Sequence, residues 1–97
     1  MQEKKQEYTK LLVNVGVTRK ALRKANATYS DLQPVDGMLS PAGIDAVAVM
    51  VGFALAAGEG ISYEEAQDYV DSMHPSDDRY QSLVKRTAEL LKKNSNP

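Results

Sequence analysis

The chain holds one histidine, thirteen carboxylates and no cysteine, and these bound the chemistry open to it. Without cysteine there is no disulfide, no thiolate metal site and no cysteine nucleophile. A single histidine excludes multi-histidine metal centres. His74 lies close in sequence to Asp71, Asp77 and Asp78, the one grouping that mixes ligand types. However, His74 precedes Pro75 and so stands at a helix exit, where an imidazole caps carbonyls. Carboxylates around Ser76 are what helix capping alone requires, and the spacing fixes no coordination geometry. There is no glycine-rich phosphate loop and no serine in a nucleophile-elbow context. The paired carboxylates lie on a helix face rather than in a cleft. The expectation is a protein that is not an enzyme and takes no metal and no cofactor.

Charge placement is more informative than charge total. The net charge is −1, yet residues 1–24 carry seven Lys or Arg and two Glu. Residues 25–78 carry ten Asp or Glu and no basic residue, and residues 79–97 carry five Lys or Arg and one Glu. At helical spacing, Glu64, Glu65, Asp68 and Asp71 fall within about 120° of one another. Arg19, Lys20, Arg23 and Lys24 span about 140°, opposite Leu22, Ala25 and Tyr29. Two such faces are either solvated and paired with each other, as surface ion pairs contributing under about 1 kcal/mol each, or docking surfaces for a partner of opposite charge. The acidic face is the favoured docking surface, because its block is larger.

Residues 8–27 also resemble a helix-turn-helix. Gly16 falls in the turn, Leu11 and Val15 precede it, and Leu22 and Ala25 stand where the second helix would meet the first. That helix would offer Thr18, Arg19, Lys20, Arg23 and Asn26 to phosphates and bases. Leu12 is larger than the small residue usual at such a crossing. An isoelectric point near 5.8 also opposes DNA, since the acidic block repels phosphate unless turned away.

Helices must position all of these groups. Tyr8, Leu11, Val15, Thr18, Leu22, Ala25, Tyr29 and Leu32 recur at spacings of three and four. Gly16 interrupts them at a cost of about 1 kcal/mol relative to alanine, so residues 8–32 form one long helix or two meeting at Gly16. Leu12–Val17 is the only strand candidate. Gln33-Pro34 and Asp36-Gly37 break the chain. Ser40-Pro41 then starts a helix over 41–57, apolar almost all round and closed by Gly58. Its rise of about 25 Å is short of a hydrocarbon layer of about 30 Å, so no membrane span is expected. Ile44, Met50, Phe53 and Leu55 are expected in the core. Ala48, Gly52 and Ala56 admit a close neighbour, either within the monomer or in a homodimer. Ser62-Tyr-Glu-Glu65 is a capping box opening a helix over 62–73, with Tyr63, Ala66, Val70 and Met73 inward. Ser76 caps a last helix carrying Tyr80, Leu83, Val84, Thr87, Leu90 and Leu91.

The expected fold is therefore all-α, one domain over 1–97. It is a compact bundle of four or five helices around a central apolar helix, with the polar tail 94–97 frayed. The expected function is that of a small cytoplasmic adaptor or inhibitor docking on a protein partner through charged helical faces, of a type that phages and mobile elements encode. A helix-turn-helix regulator binding nucleic acid through residues 8–27 is the alternative.

Overall fold

A computed structural model describes residues 8–95, with side chains through Lys93. Asn14 sets the start of the first helix, α1 (Val15–Ala25): its side-chain oxygen accepts the Val17 amide at 2.9 Å. Asn26 ends it in the left-handed region at φ 55°, a conformation asparagine tolerates. The stripe from Tyr8 to Leu32 is thus neither one helix nor two meeting at Gly16. Residues 8–14 are a non-helical strap, and Gly16 is the second residue of α1. Tyr29–Leu32 form a short 3₁₀ turn. Two causes outweigh the heptad spacing. The asparagine cap fixes the boundary, and α2 offers the strap better partners: the Leu12 amide donates to the Ala54 carbonyl at 3.0 Å, and Val13 is fully buried. The first limb of the helix-turn-helix over 8–27 is therefore not formed. Leu12–Val17 is split between strap and helix and forms no strand.

In the connection, Asp31 accepts the Thr28 amide at 2.8 Å and the Ser40 hydroxyl at 3.1 Å. This ties the 3₁₀ turn to the start of α2. Asp36 (φ 55°) and Gly37 (φ 77°) close a tight turn between Val35 and Met38, with the paired positive φ angles of a type I′ turn. Ser40 and Pro41 then open α2 (Pro41–Glu59), the serine accepting the Gly43 amide at 3.1 Å. The helix runs 19 residues and ends at Gly60, φ 71°, two residues past the expected stop at Gly58. α3 (Tyr63–Asp71) begins at Ser62, whose hydroxyl accepts the Glu65 amide at 3.0 Å. It ends before Ser72 and Met73. α4 (Asp78–Ser95) starts two residues later than Ser76, because the capping carboxylate is Asp77, which takes the Arg79 amide at 2.8 Å. Residues 96 and 97 of the tail lie outside the described residues, while Asn94 and Ser95 belong to α4.

The chain is all-helical, with four α-helices and no strand among the described residues. Its radius of gyration, 13.2 Å, matches the roughly 13 Å of a packed domain this long. Helix α2 touches α1, the 3₁₀ turn, α3 and α4. Val51, Leu55, Ala66, Val70, Met73 and Leu83 form one core cluster between α2, α3 and α4. Val13, Val17, Ala21, Met50 and Ala54 form another between strap, α1 and α2. Met50 and Leu55 are buried and Phe53 is half-buried on the Tyr63 ring, with centroids 4.3 Å apart. Ile44 is not core: it is 55% exposed, standing on the outer side of the first turns of α2. Within the small-residue row, Gly52 is covered by the Gln67 and Tyr63 side chains of the same chain, so packing inside the monomer uses that close approach. Among the described residues α2 is the one helix long and apolar enough to cross a membrane.

Candidate functional site

Short-range signals place the acidic residues. Ser62 fixes the phase of α3, so Ala66 and Val70 turn inward and are fully buried. Glu64, Glu65, Asp68 and Asp71 consequently share the outer side, and all four are exposed. Two of them are engaged locally. Glu65 accepts the Tyr8 hydroxyl at 2.6 Å, in place of the reciprocal arm expected of a capping box. Asp71 accepts from Gln67 Nε2 at 3.0 Å. Glu64 and Asp68 have no polar partner among the described residues. Sequence reasoning missed Gln67, whose Oε1 is buried over Gly52 without a hydrogen-bond donor. A polar residue between Ala66 and Asp68 carries no sequence signal for that inward turn.

On α1 the four bases Arg19, Lys20, Arg23 and Lys24 are exposed. Of the residues offered to nucleic acid, Arg19, Lys20 and Arg23 share this face and Asn26 is the exposed left-handed cap. Thr18 is not available. It is 4% exposed, and its hydroxyl donates to the Asn14 carbonyl. The acidic and basic faces do not neutralise each other. Between described side chains one ion pair forms, Arg79 with Asp77 at 2.9 Å. Lys24 instead stands over the Tyr63 ring, 5.2 Å from its centroid.

Around His74 the geometry is that of a turn. Nδ1 accepts the Ser76 amide at 3.1 Å and shares a hydrogen with the Ser76 hydroxyl at 2.8 Å. Asp77 turns to Arg79, and no group of three His, Cys, Asp or Glu is close enough to hold a metal among the described residues.

A groove of about 810 Å³ lies between the start of α1, the 3₁₀ turn with Gln33 and Pro34, and the second half of α4. Val15 (53% exposed) and Tyr29 (57% exposed) line it. Both belong to the heptad stripe. Once the helix is confined to 15–25, neither has a core to enter, which is why sequence periodicity hid this surface.

The strap is fastened by charge. The Glu59 carboxylate accepts the Lys10 and Thr9 amides, and Arg86 donates to the Thr9 carbonyl. The Lys10 amide, then that of Thr9, holds the Glu59 carboxyl below its ordinary value. The Arg79 guanidinium and amide hold Asp77 down at about 2. Depressed carboxyl pKa values give stability that is full above the unfolded value and is lost as pH falls through the folded one. Melting temperature should therefore fall between about pH 4 and about pH 2, and Glu59→Gln and Asp77→Asn should each flatten that fall. The Tyr8 hydroxyl, donating to Glu65, is pushed up to about 12. A raised value has the opposite sense: its contribution is full below about pH 10 and is lost towards pH 12. Tyr8→Phe should remove that alkaline component in thermal melts.

No protein-family model, curated protein or solved structure matches the chain.

Proposed function

We propose that the chain is a non-enzymatic interaction protein, a helical bundle organised on α2, that docks on a basic surface of a protein partner through the outer face of α3. One observation carries this reading: among the described residues, the exposed bases of α1 and the exposed acids of α3 form no ion pair with each other. Neutralisation within the fold, the alternative use of two such faces, would need ion pairs between α1 and α3, and none forms among the described residues. Glu64 and Asp68 can therefore be desolvated only by something outside the described chain. A rigid acidic helix face raises encounter rates with a basic surface and fixes the partner's orientation more than it adds raw affinity.

The experiment compares three proteins as bait: the parent, the α3 reversal Glu64→Lys/Asp68→Lys/Asp71→Lys, and the α1 reversal Arg19→Glu/Lys20→Glu/Arg23→Glu/Lys24→Glu. Glu64 stands in the first turn of α3 and Arg23 and Lys24 in the last turn of α1. Reversing each opposes the helix dipole at a cost of up to about 1 kcal/mol, and Asp71 and Lys24 also give up their contacts with Gln67 and Tyr63. Circular dichroism and melting temperature of both variants are therefore measured beside capture. The partner identified with the parent should be lost by the α3 reversal and kept by the α1 reversal. The opposite pattern would move the docking surface to the basic face.

A further inference from the structure

The strap meets the helices in two ways. Its main chain is held by α2 and α4: Glu59 accepts the Thr9 and Lys10 amides, the Ala54 carbonyl accepts the Leu12 amide, and Arg86 donates to the Thr9 carbonyl. Tyr8 meets α3 with its side chain instead. Its hydroxyl donates to Glu65 Oε2 at 2.6 Å, and its ring meets the Tyr69 ring at 75° with centroids 4.8 Å apart. Glu65 and Tyr69 stand one turn apart on the same side of α3, so a single side chain touches both. Among the described residues, Glu65 is the one acid of the docking face that is hydrogen-bonded from outside α3. Rotation of the Tyr8 side chain alone would uncover Glu65 and Tyr69 while the main-chain bonds of the strap hold.

A carboxylate beside an aromatic ring suits a guanidinium. Its planar fork donates to both carboxylate oxygens and stacks on the ring, whereas an ammonium acts as a point charge. Tyr8 makes the neutral form of the same two contacts. Two cations of this region are engaged with other groups, Arg86 with the Thr9 carbonyl and Lys10 with Glu59. We propose that Glu65 and Tyr69 form a seat for an arginine of the protein partner, and that Tyr8 is an autoinhibitory latch occupying this seat until the partner displaces it. The inference rests on the reading of α3 as the docking face and names the side chain which that face takes. A closed latch lowers apparent affinity in proportion to the fraction of molecules that are open, and the seat selects arginine over lysine.

The test uses the full-length chain with a short blocked peptide of glycine, serine and arginine, and a twin with lysine for every arginine. Binding is followed by amide chemical shifts. Tyr8→Ala should bind the arginine peptide about tenfold more tightly than the parent does, the gain for a latch closed about nine-tenths of the time, with shifts centred on Glu65 and Tyr69. The lysine twin should bind this variant about two- to fivefold more weakly. Tyr8→Phe, which keeps the ring and loses the hydroxyl, should fall between parent and Tyr8→Ala. Adding Glu65→Gln to Tyr8→Ala should erase the preference for arginine. Exchange protection of the Leu12 amide should match in the parent and both Tyr8 variants, because the strap stays fastened. Equal binding by parent and Tyr8→Ala, equal affinity for the two peptides, a preference that survives Glu65→Gln, or loss of Leu12 protection in Tyr8→Ala would each overturn the proposal. Each would leave the α3 reading standing, because the α3 reversal keeps Glu65 and is scored by capture of the partner. A partner retained by the α3 reversal would overturn that reading without touching these peptide measurements.

Discussion

Gly58→Ala should unseat the strap and destabilise the fold strongly, although it replaces glycine by the best helix former. At an open helical position that exchange stabilises by up to about 1 kcal/mol. Gly58 lies inside α2 where the strap crosses it, and an added Cβ would sit 2.6 Å from the backbone carbon and oxygen of Lys10 and 2.8 Å from the Leu11 amide nitrogen. Backbone cannot rotate aside as a side-chain tip can. The strap must lift, breaking the Leu12 hydrogen bond to Ala54 and the Glu59 bonds to Thr9 and Lys10, and loosening the buried Val13. The expected net loss is about 2–3 kcal/mol, or about 10–20 °C in Tm. Amide exchange should locate it: Thr9, Lys10 and Leu12 should lose protection first, while Leu55 and Val70 should hold theirs until global unfolding. Unchanged stability would show that the strap does not lie against α2.

Gly52→Leu should cost far more than Gly16→Ala. Gly52 is buried, and a Cβ there would stand 2.3 Å from Gln67 Oε1 and 3.5 Å from Tyr63 Cε1. Alanine could displace the flexible glutamine. Leucine has no equivalent space, and to fit it must push out Gln67, break the Gln67–Asp71 bond and part α2 from α3. A loss of about 1–3 kcal/mol or more is expected. At Gly16 the backbone is helical, and a Cβ would meet only the capping oxygen of Asn14, at 3.1 Å. The propensity gain and the crowded cap nearly cancel, so Gly16→Ala should fall within about 0.5 kcal/mol of the parent. Chemical denaturation at unchanged m-value measures both. A loss at Gly16 as large as that at Gly52 would contradict the helix start at Val15.

These two glycines also show what the sequence makes legible. Ser40-Pro41, Ser62 with Glu65, and the inward Ala66 and Val70 are local signals, and each helix they mark forms within two residues of its expected bounds. The acidic face followed from them, because once the phase of α3 is fixed, the outer positions are fixed too. The first segment misled because its period is equally suited to a helix and to a chain draped over one. Tertiary contacts decided between them: Leu12 to Ala54, Val13 in the core and the Glu59 clamp. All of these join residues more than thirty positions apart, beyond the reach of any local pattern. Ile44 misled for a related reason. In a helix apolar nearly all round, composition does not say which side meets solvent. The groove was illegible because it exists only after the stripe has been broken in two.

Docking through α3 is tested most directly by association kinetics with the identified partner across a range of ionic strength. The parent should associate fast at low salt and slow steeply as salt rises, because charges on an exposed face steer encounter and are screened over about 10 Å at 0.1 M. The Glu64→Lys/Asp68→Lys/Asp71→Lys protein, with an unchanged circular dichroism spectrum, should associate about 10- to 1000-fold more slowly at low salt. Its dependence on salt should be flat or reversed. Equal rate constants and equal salt slopes for the two folded proteins would contradict docking through this face and leave Glu64 and Asp68 as solvated surface charge.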